Sequence, residues 1–206
     1  MTCLGQQKSK EQEGCETRAK ERPKRKKKEN MEKWKIIYAN VQGLQGKRTS
    51  IKEIIDDDVK PEIVLFAETH LRNNIGVKFG GYRFFGQARN DSKGGGVGIL
   101  INENIKHRIA PHTSDKNIEI LWISVNRGRS KPLFIGVYYG RQECRVNKEE
   151  IEQEMEHLKE EILEIRSEGE IILMMDGNGK VGLLGKKTSR NGKLLENFLN
   201  IQDSLS

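Results

Sequence analysis

From Trp34 onward the chain alternates short apolar runs with polar turns. Trp34–Asn40 (WKIIYAN) reads as a strand ending on a polar residue. Ile63–Ala67 (IVLFA), introduced by Pro61, is apolar at every position, the pattern of a strand covered on both faces. Further strands are expected at Tyr82–Gly86, Gly95–Ile101, Ile118–Val125, Leu133–Tyr139 and Ile171–Met175, and the Asn90–Gly94 turn makes the first two a hairpin. Three segments have helical spacing. Lys47–Asp57 puts Ile51, Ile54 and Ile55 on one face. Asn147 is a good N-cap and Glu150 completes a capping box; the helix it opens runs to about Ser167, carries Ile151, Met155, Leu158, Ile162 and Ile165, and ends at Gly169. That span is short for a coiled coil, so it is expected to pack on a sheet. A last short helix is predicted at Lys193–Asn200. Mixed strands with few helices predict a layered α/β sandwich, and no internal repeat interrupts it.

Composition changes this picture mainly at the start of the chain. The 206 residues suit one domain. Of the net charge of +7, residues 1–33 carry 11 Lys/Arg against 6 Asp/Glu, which leaves +2 for residues 34–206. The tail has no aromatics and almost no branched aliphatics, so disorder is expected for 1–33 and a folded domain for 34–206. The run Pro23-Lys24-Arg25-Lys26-Lys27-Lys28 suits a nuclear import signal, a phosphate-binding arm or a plain solvated extension. No apolar run approaches about 18 residues, so no membrane span or signal peptide is expected. Cys3, Cys15 and Cys144 fit neither a disulfide framework nor a zinc site, which points to a reducing intracellular compartment, nuclear if the basic run is an import signal.

Candidate chemistry sits where apolar runs stop. Asn40 follows KIIYA, Glu68 follows IVLFA, and Asp176 with Asn178 follows IILMM. Polar groups at the ends of adjacent buried strands gather on one rim of a sheet. The ordered series Y-A-N-V-Q-G-L (38–44), I-V-L-F-A-E-T-H-L (63–71), G-G-G-V-G-I-L-I (94–101), I-G-V-Y-Y-G (135–140) and M-M-D-G-N-G-K-V-G (174–182) resembles the endonuclease/exonuclease/phosphatase (DNase I-like) superfamily. Within it, the series looks most like the endonuclease domains of LINE-type retrotransposons and their domesticated relatives. The resemblance spans about residues 34–200. It implies a four-layered α/β sandwich, two packed mixed sheets flanked by helices, that hydrolyses phosphodiesters in DNA with Mg2+, or alternatively Mn2+. It also implies roles: Glu68 as principal metal ligand, Asn40 supporting metal or phosphate, Asp176 activating water, Asn178 donating to the phosphate, and Tyr138 orienting the aspartate or the phosphate.

The chain departs from the family pattern in two places. The motif G-D-F-N reads Met175-Asp176-Gly177-Asn178 here. The family closes its site with a further aspartate and a Ser-Asp-His or similar on C-terminal strands, and no S-D-H or T-D-H occurs in these residues, so the domain is expected to lack its last strands and much of its catalytic power. His70, His107, His112 and His157 are read as structural or surface residues. Three functions stay open: a DNA endonuclease, a catalytically dead derivative that binds nucleic acid or protein, and a phosphatase of the same superfamily. Gly177–Gly182 spells G-x-G-x-x-G but leads into a turn-rich loop, so a dinucleotide site is not expected. Gly94-Gly95-Gly96 reads as strand backbone under close approach rather than a phosphate nest. Arg83, Arg89, Lys93, Arg127, Arg129 and Arg141 either track a DNA backbone or form solvated surface charge.

Overall fold

The computed structural model describes residues 33–57, 60–72, 77–89, 94–110, 118–128, 130–182 and 187–204, with side chains to residue 200. They belong to one compact unit, Lys33–Ser206. The basic tail expected at 1–33 lies outside the described residues except for Lys33, as do residues 90–93 of the expected Asn90–Gly94 turn and His112. Among the described residues the elements are β1 (Ile36–Asn40), a 3-10 turn (Gln45–Lys47), α1 (Arg48–Asp56), β2 (Ile63–Ala67), β3 (Tyr82–Gln87), β4 (Val97–Asn102), β5 (His107–Ile109), β6 (Glu119–Val125), β7 (Leu133–Tyr139), α2 (Lys148–Glu168), β8 (Glu170–Asp176) and α3 (Arg190–Ser204).

The strands form two four-stranded mixed sheets, ordered β1-β2-β4-β3 and β5-β6-β7-β8. In each, one parallel pair is joined through a helix: β1 to β2 through α1, and β7 to β8 through α2. Ile63, Leu65, Ala67, Val97, Ile99 and Ile101 of the first sheet share one core cluster with Ile123, Val125, Leu133, Ile135, Val137 and Tyr139 of the second. The alternate positions face outward under helices. Val64, Phe66 and Leu100 meet Ile51 and Ile55 of α1, while Ile120, Trp122, Phe134 and Tyr138 meet Leu158, Ile162 and Ile165 of α2 and Phe198 of α3. Helix, sheet, sheet and helices make the four layers, and burial on both faces explains why β2 and β7 are apolar throughout.

Local signals mostly act as anticipated. The Asn147 side chain accepts from the Glu150 amide at 2.8 Å and caps α2. Gly169 ends that helix for a different reason than a left-handed cap: its backbone is extended, and a Cβ there would stand 2.3 Å from the Pro132 carbonyl oxygen. Ile54, expected on the buried face of α1, is 42% exposed, because Ile51 and Ile55 already fill the stripe against β2. The last helix extends well beyond the expected Lys193–Asn200 at both ends. The three-residue β5, around His107, exists by pairing with β6.

Candidate active site

Parallel pairing aligns the strand ends. Asn40 is opposite Ala67, so Glu68 lies one step past the rim beside it, and Tyr139 is opposite Asp176 across β7 and β8. The two rims meet through one amide. Asn40 Nδ2 donates to Glu68 Oε1 at 3.0 Å and to Asp176 Oδ2 at 3.1 Å, linking the two sheets across 136 residues of chain. The Tyr139 hydroxyl donates to Glu68 Oε1 at 2.9 Å. Asp176 Oδ1 accepts from the Asn178 backbone N–H at 3.1 Å, and Asn178 Nδ2 donates to the Gly140 carbonyl at 2.6 Å.

Backbone strain marks two of these residues. Glu68 has φ +53° and Asn178 φ +47°, in the left-handed region. Asparagine tolerates that region; glutamate does so at a cost of about 1 kcal/mol or more. The neighbouring backbone fixes Glu68 there: Gly43 N–H donates to its carbonyl at 2.8 Å, and the next two amides, of Thr69 and His70, donate to the Gly96 and Gly95 carbonyls at 3.0 and 2.9 Å. The close-approach reading of the three-glycine run is correct for Gly96, where a Cβ would lie 2.6 Å from Thr69 Oγ1.

Asn40, Glu68, Asp176 and Asn178 are thus brought together. Tyr138 is not. Its hydroxyl donates to Glu154 Oε1 of α2 at 2.8 Å, on the helix-facing side of β7, and burial beside that carboxylate pushes the phenol well above its usual range. Successive side chains on a strand point to opposite faces, so the site tyrosine is Tyr139, one residue on. Three further residues sit at or against the site. Tyr38 leaves β1 on the same face as Asn40, its hydroxyl without a hydrogen-bond partner; burial, with the Asp176 and Glu68 charges adding, pushes its phenol up to about 12. His70 Nε2 lies 3.6 Å from Glu68 Oε2, so it stands on the rim of the site rather than on remote surface. Asn191 of α3, 2% exposed, donates through Nδ2 to the carbonyls of Arg141 at 3.0 Å and Asn178 at 3.4 Å, tying the two site loops to the helix. Spacing in the sequence carries no signal for Asn191, whereas strand parity counted back from Asn40 points to Tyr38.

The glycine-rich loop after Asp176 does not open a helix over a phosphate. A Cβ on Gly177 would stand 2.4 Å from Leu195 Cδ1, and one on Gly179 2.7 Å from the Gly192 nitrogen, so the loop is pressed onto the start of α3. Three of the six basic residues considered for DNA contact have carboxylate partners. Arg89 is buried in an ion pair with Glu119, Arg141 pairs with Glu154 at 2.7 Å, and Arg127 pairs with Glu170 at 2.8 Å. Arg83 is exposed, while Lys93 and Arg129 lie outside the described residues.

Among the described residues no three His, Cys, Asp or Glu side chains gather to hold a metal ion by themselves. The donor set still fits a hard divalent cation. Two carboxylates share one amide between them, both keep free acceptor lone pairs, and Mg2+ takes one or two carboxylates while retaining several waters.

No protein-family model matches the sequence, and no curated protein matches it. Solved structures do. The endonuclease domain of TRAS1, a telomere-specific non-LTR retrotransposon, superposes with a TM-score of 0.56 at 20% identity over 82% of this chain and 70% of that one. A 3'-5' exonuclease (NExo) from Neisseria meningitidis gives 0.60 at 17% identity over 81% and 70%. The APE2 catalytic domain of Xenopus laevis gives 0.58 at 15% identity over 79% and 67%. The two packed mixed sheets of this chain, flanked by helices, therefore have the fold of the endonuclease/exonuclease/phosphatase, or DNase I-like, superfamily.

Proposed function

We propose that this chain is a divalent-metal-dependent phosphodiester hydrolase acting on DNA, of the retrotransposon endonuclease type. The carrying observation is the Asn40 amide, which holds Glu68 and Asp176 from two different sheets at one rim. The likeness to TRAS1 and to the two other nucleases named above supports the class of reaction.

In this reading Glu68 and Asp176 would hold Mg2+ or Mn2+, which when bound neutralises charge developing on the phosphate. Asn40 keeps the two carboxylates in register. Tyr139 takes over the orienting role first given to Tyr138, since its hydroxyl fixes the Glu68 carboxylate. Asp176, with its Oδ1 held by the Asn178 amide, directs a water toward phosphorus and accepts its proton. The Asn178 side chain, anchored by donation to the Gly140 carbonyl and in hydrogen-bond contact with Tyr139, is placed to donate to a non-bridging phosphate oxygen. The basic run Pro23–Lys28 supports DNA as the partner and a nuclear location.

A specific observation favours a second reading, a nucleic-acid-binding module without turnover. Beyond Glu68 and Asp176 the further titratable groups described at the site are His70, 3.6 Å from Glu68, and the phenols of Tyr38 and Tyr139, both raised above their ordinary range. Nicking of supercoiled plasmid decides between them. With Mg2+ the wild-type protein is expected to nick, and Asp176→Ala to lose about 100-fold or more, the usual cost of removing a positioned base. Equal, background-level nicking by both proteins, with retained plasmid binding, establishes the second reading instead.

A further inference from the structure

Arg89 and Glu119 form a buried ion pair directly behind the site. Their side chains are 8% and 7% exposed. Glu119 opens β6 and lies opposite Tyr139 in the β6–β7 register. It grips the Arg89 guanidinium through one carboxylate oxygen and accepts the Gly96 N–H with the other. The Arg89 Cζ stands 5.7 Å from the centre of the Tyr139 ring, within cation–π range, and the hydroxyl of that ring donates to Glu68.

The chain is shaped around this pair. Gly95 has φ +67°, and a Cβ on it would stand 2.6 Å from both Arg89 Cζ and Glu119 Oε2. The same glycine segment accepts the amides of Thr69 and His70, which follow Glu68. The ion pair therefore braces Glu68 from two directions: through the Tyr139 ring to its carboxylate, and through Gly95 and Gly96 to its backbone. Stability alone does not call for such a pair, because apolar side chains of similar volume do as well or better in a dry interior. A flat guanidinium over a phenol ring is, in contrast, a device for fixing the ring, and one that the compact ammonium of lysine does not reproduce.

We propose that Arg89, held by Glu119, is a positioning residue that acts through Tyr139 to fix the Glu68 carboxylate for metal binding; this rests on the reading of Glu68 as a metal ligand. The test is calorimetric titration of Mg2+ into the full 206-residue chain, with no activity measurement needed. Arg89→Lys is expected to weaken binding about threefold to tenfold, the fold-change given by losing a desolvated cation–π contact. Tyr139→Phe is expected to weaken it as well, and the double variant no more than the weaker-binding single, because both act on one hydrogen bond. A merely structural Arg89 gives additive losses instead, and these overturn the proposal. Should Arg89→Lys not fold, Arg89→Met with Glu119→Gln removes both charges together, and it too is expected to weaken Mg2+ binding while retaining a cooperative melt. Wild-type binding with equal affinity in the Arg89 variants overturns this inference alone. A wild-type chain that takes up no Mg2+ overturns the metal reading of Glu68 and this inference with it.

Discussion

Tyr38 and Asn40 leave β1 on the same face, yet only Asn40 has partners there. A buried hydroxyl without a partner loses its hydration and gains nothing back, at a cost of about 1 kcal/mol or more. Tyr38→Phe is therefore expected to stabilise the chain by about 1 kcal/mol at neutral pH. The pH dependence follows from the raised phenol. Its folded value of about 12 exceeds the ordinary 10.0, so the stability it contributes is complete below pH 10 and is lost as pH rises toward 12. The advantage of the Phe variant should thus widen across pH 10–12, over a shared slope from the other raised phenols, Tyr82, Tyr138 and Tyr139. Urea unfolding at pH 7 and through that window measures both effects; a destabilised Tyr38→Phe would show that the hydroxyl has a partner in solution. The same scale shows what the sequence could reveal of the site. Asn40, Glu68, Asp176 and Asn178 stood out because each breaks an apolar run at a strand end. The tyrosine did not resolve, because Leu133–Tyr139 is buried at every position and offers no polar side from which to read which face is which.

At the scale of elements, the loop between β8 and α3 shows how one departure from the resembled motif is accommodated. Gly177 stands where the resembled motif has phenylalanine, and Leu195 of α3 occupies the space a side chain there would enter, with Cδ1 and Cδ2 at 2.4 and 2.6 Å from the ideal Cβ position. The glycine and the leucine are thus two halves of one packing solution. Gly177→Phe alone is expected to cost about 1–3 kcal/mol by overpacking, and Leu195→Ala alone to leave a partly filled gap. Combining them should recover part of the loss, because the added ring takes up the volume the leucine vacates. Thermal unfolding of the two singles and the double measures this; strictly additive losses would show that Leu195 does not fill the Gly177 space. No periodicity in the sequence could reveal the pairing. It joins a loop glycine to a helix residue eighteen positions later, whereas the contacts that were legible, such as Ile51 and Ile55 under β2, repeat along one element and leave a pattern.

Across the whole molecule, the site lies where two sheet edges meet. β1 and β8 each pair on one side only among the described strands, and they carry Asn40 and Asp176. Next to β8, an open cavity of ≈ 570 Å³ lies between α2 and α3, lined by Ile162, Leu173, Met175 and Phe198 together with Arg166 and Glu170, with half-exposed Leu199 at its side. A layered α/β sandwich followed from the mix of strands and helices, and its four layers from the resemblance, but nothing in the sequence distinguished a flanked strand from an edge, because the interior of β8, Ile171–Met175, is as apolar as the strand beside it. An apolar edge with unpaired backbone groups next to exposed leucine is a template for association, and a net charge of +7, of which residues 1–33 carry +5, does little to shield it. The purified 206-residue chain is accordingly expected to aggregate on heating, with light scattering that rises steeply with protein concentration. Leu199→Lys places a charge beside the β8 edge at a half-exposed position, so it should reduce scattering while changing stability by no more than about 0.5 kcal/mol. A reversible, concentration-independent melt of the unmodified chain would mean that α2 and α3 shield the β8 edge in solution, and Leu199→Lys would then leave the scattering unchanged.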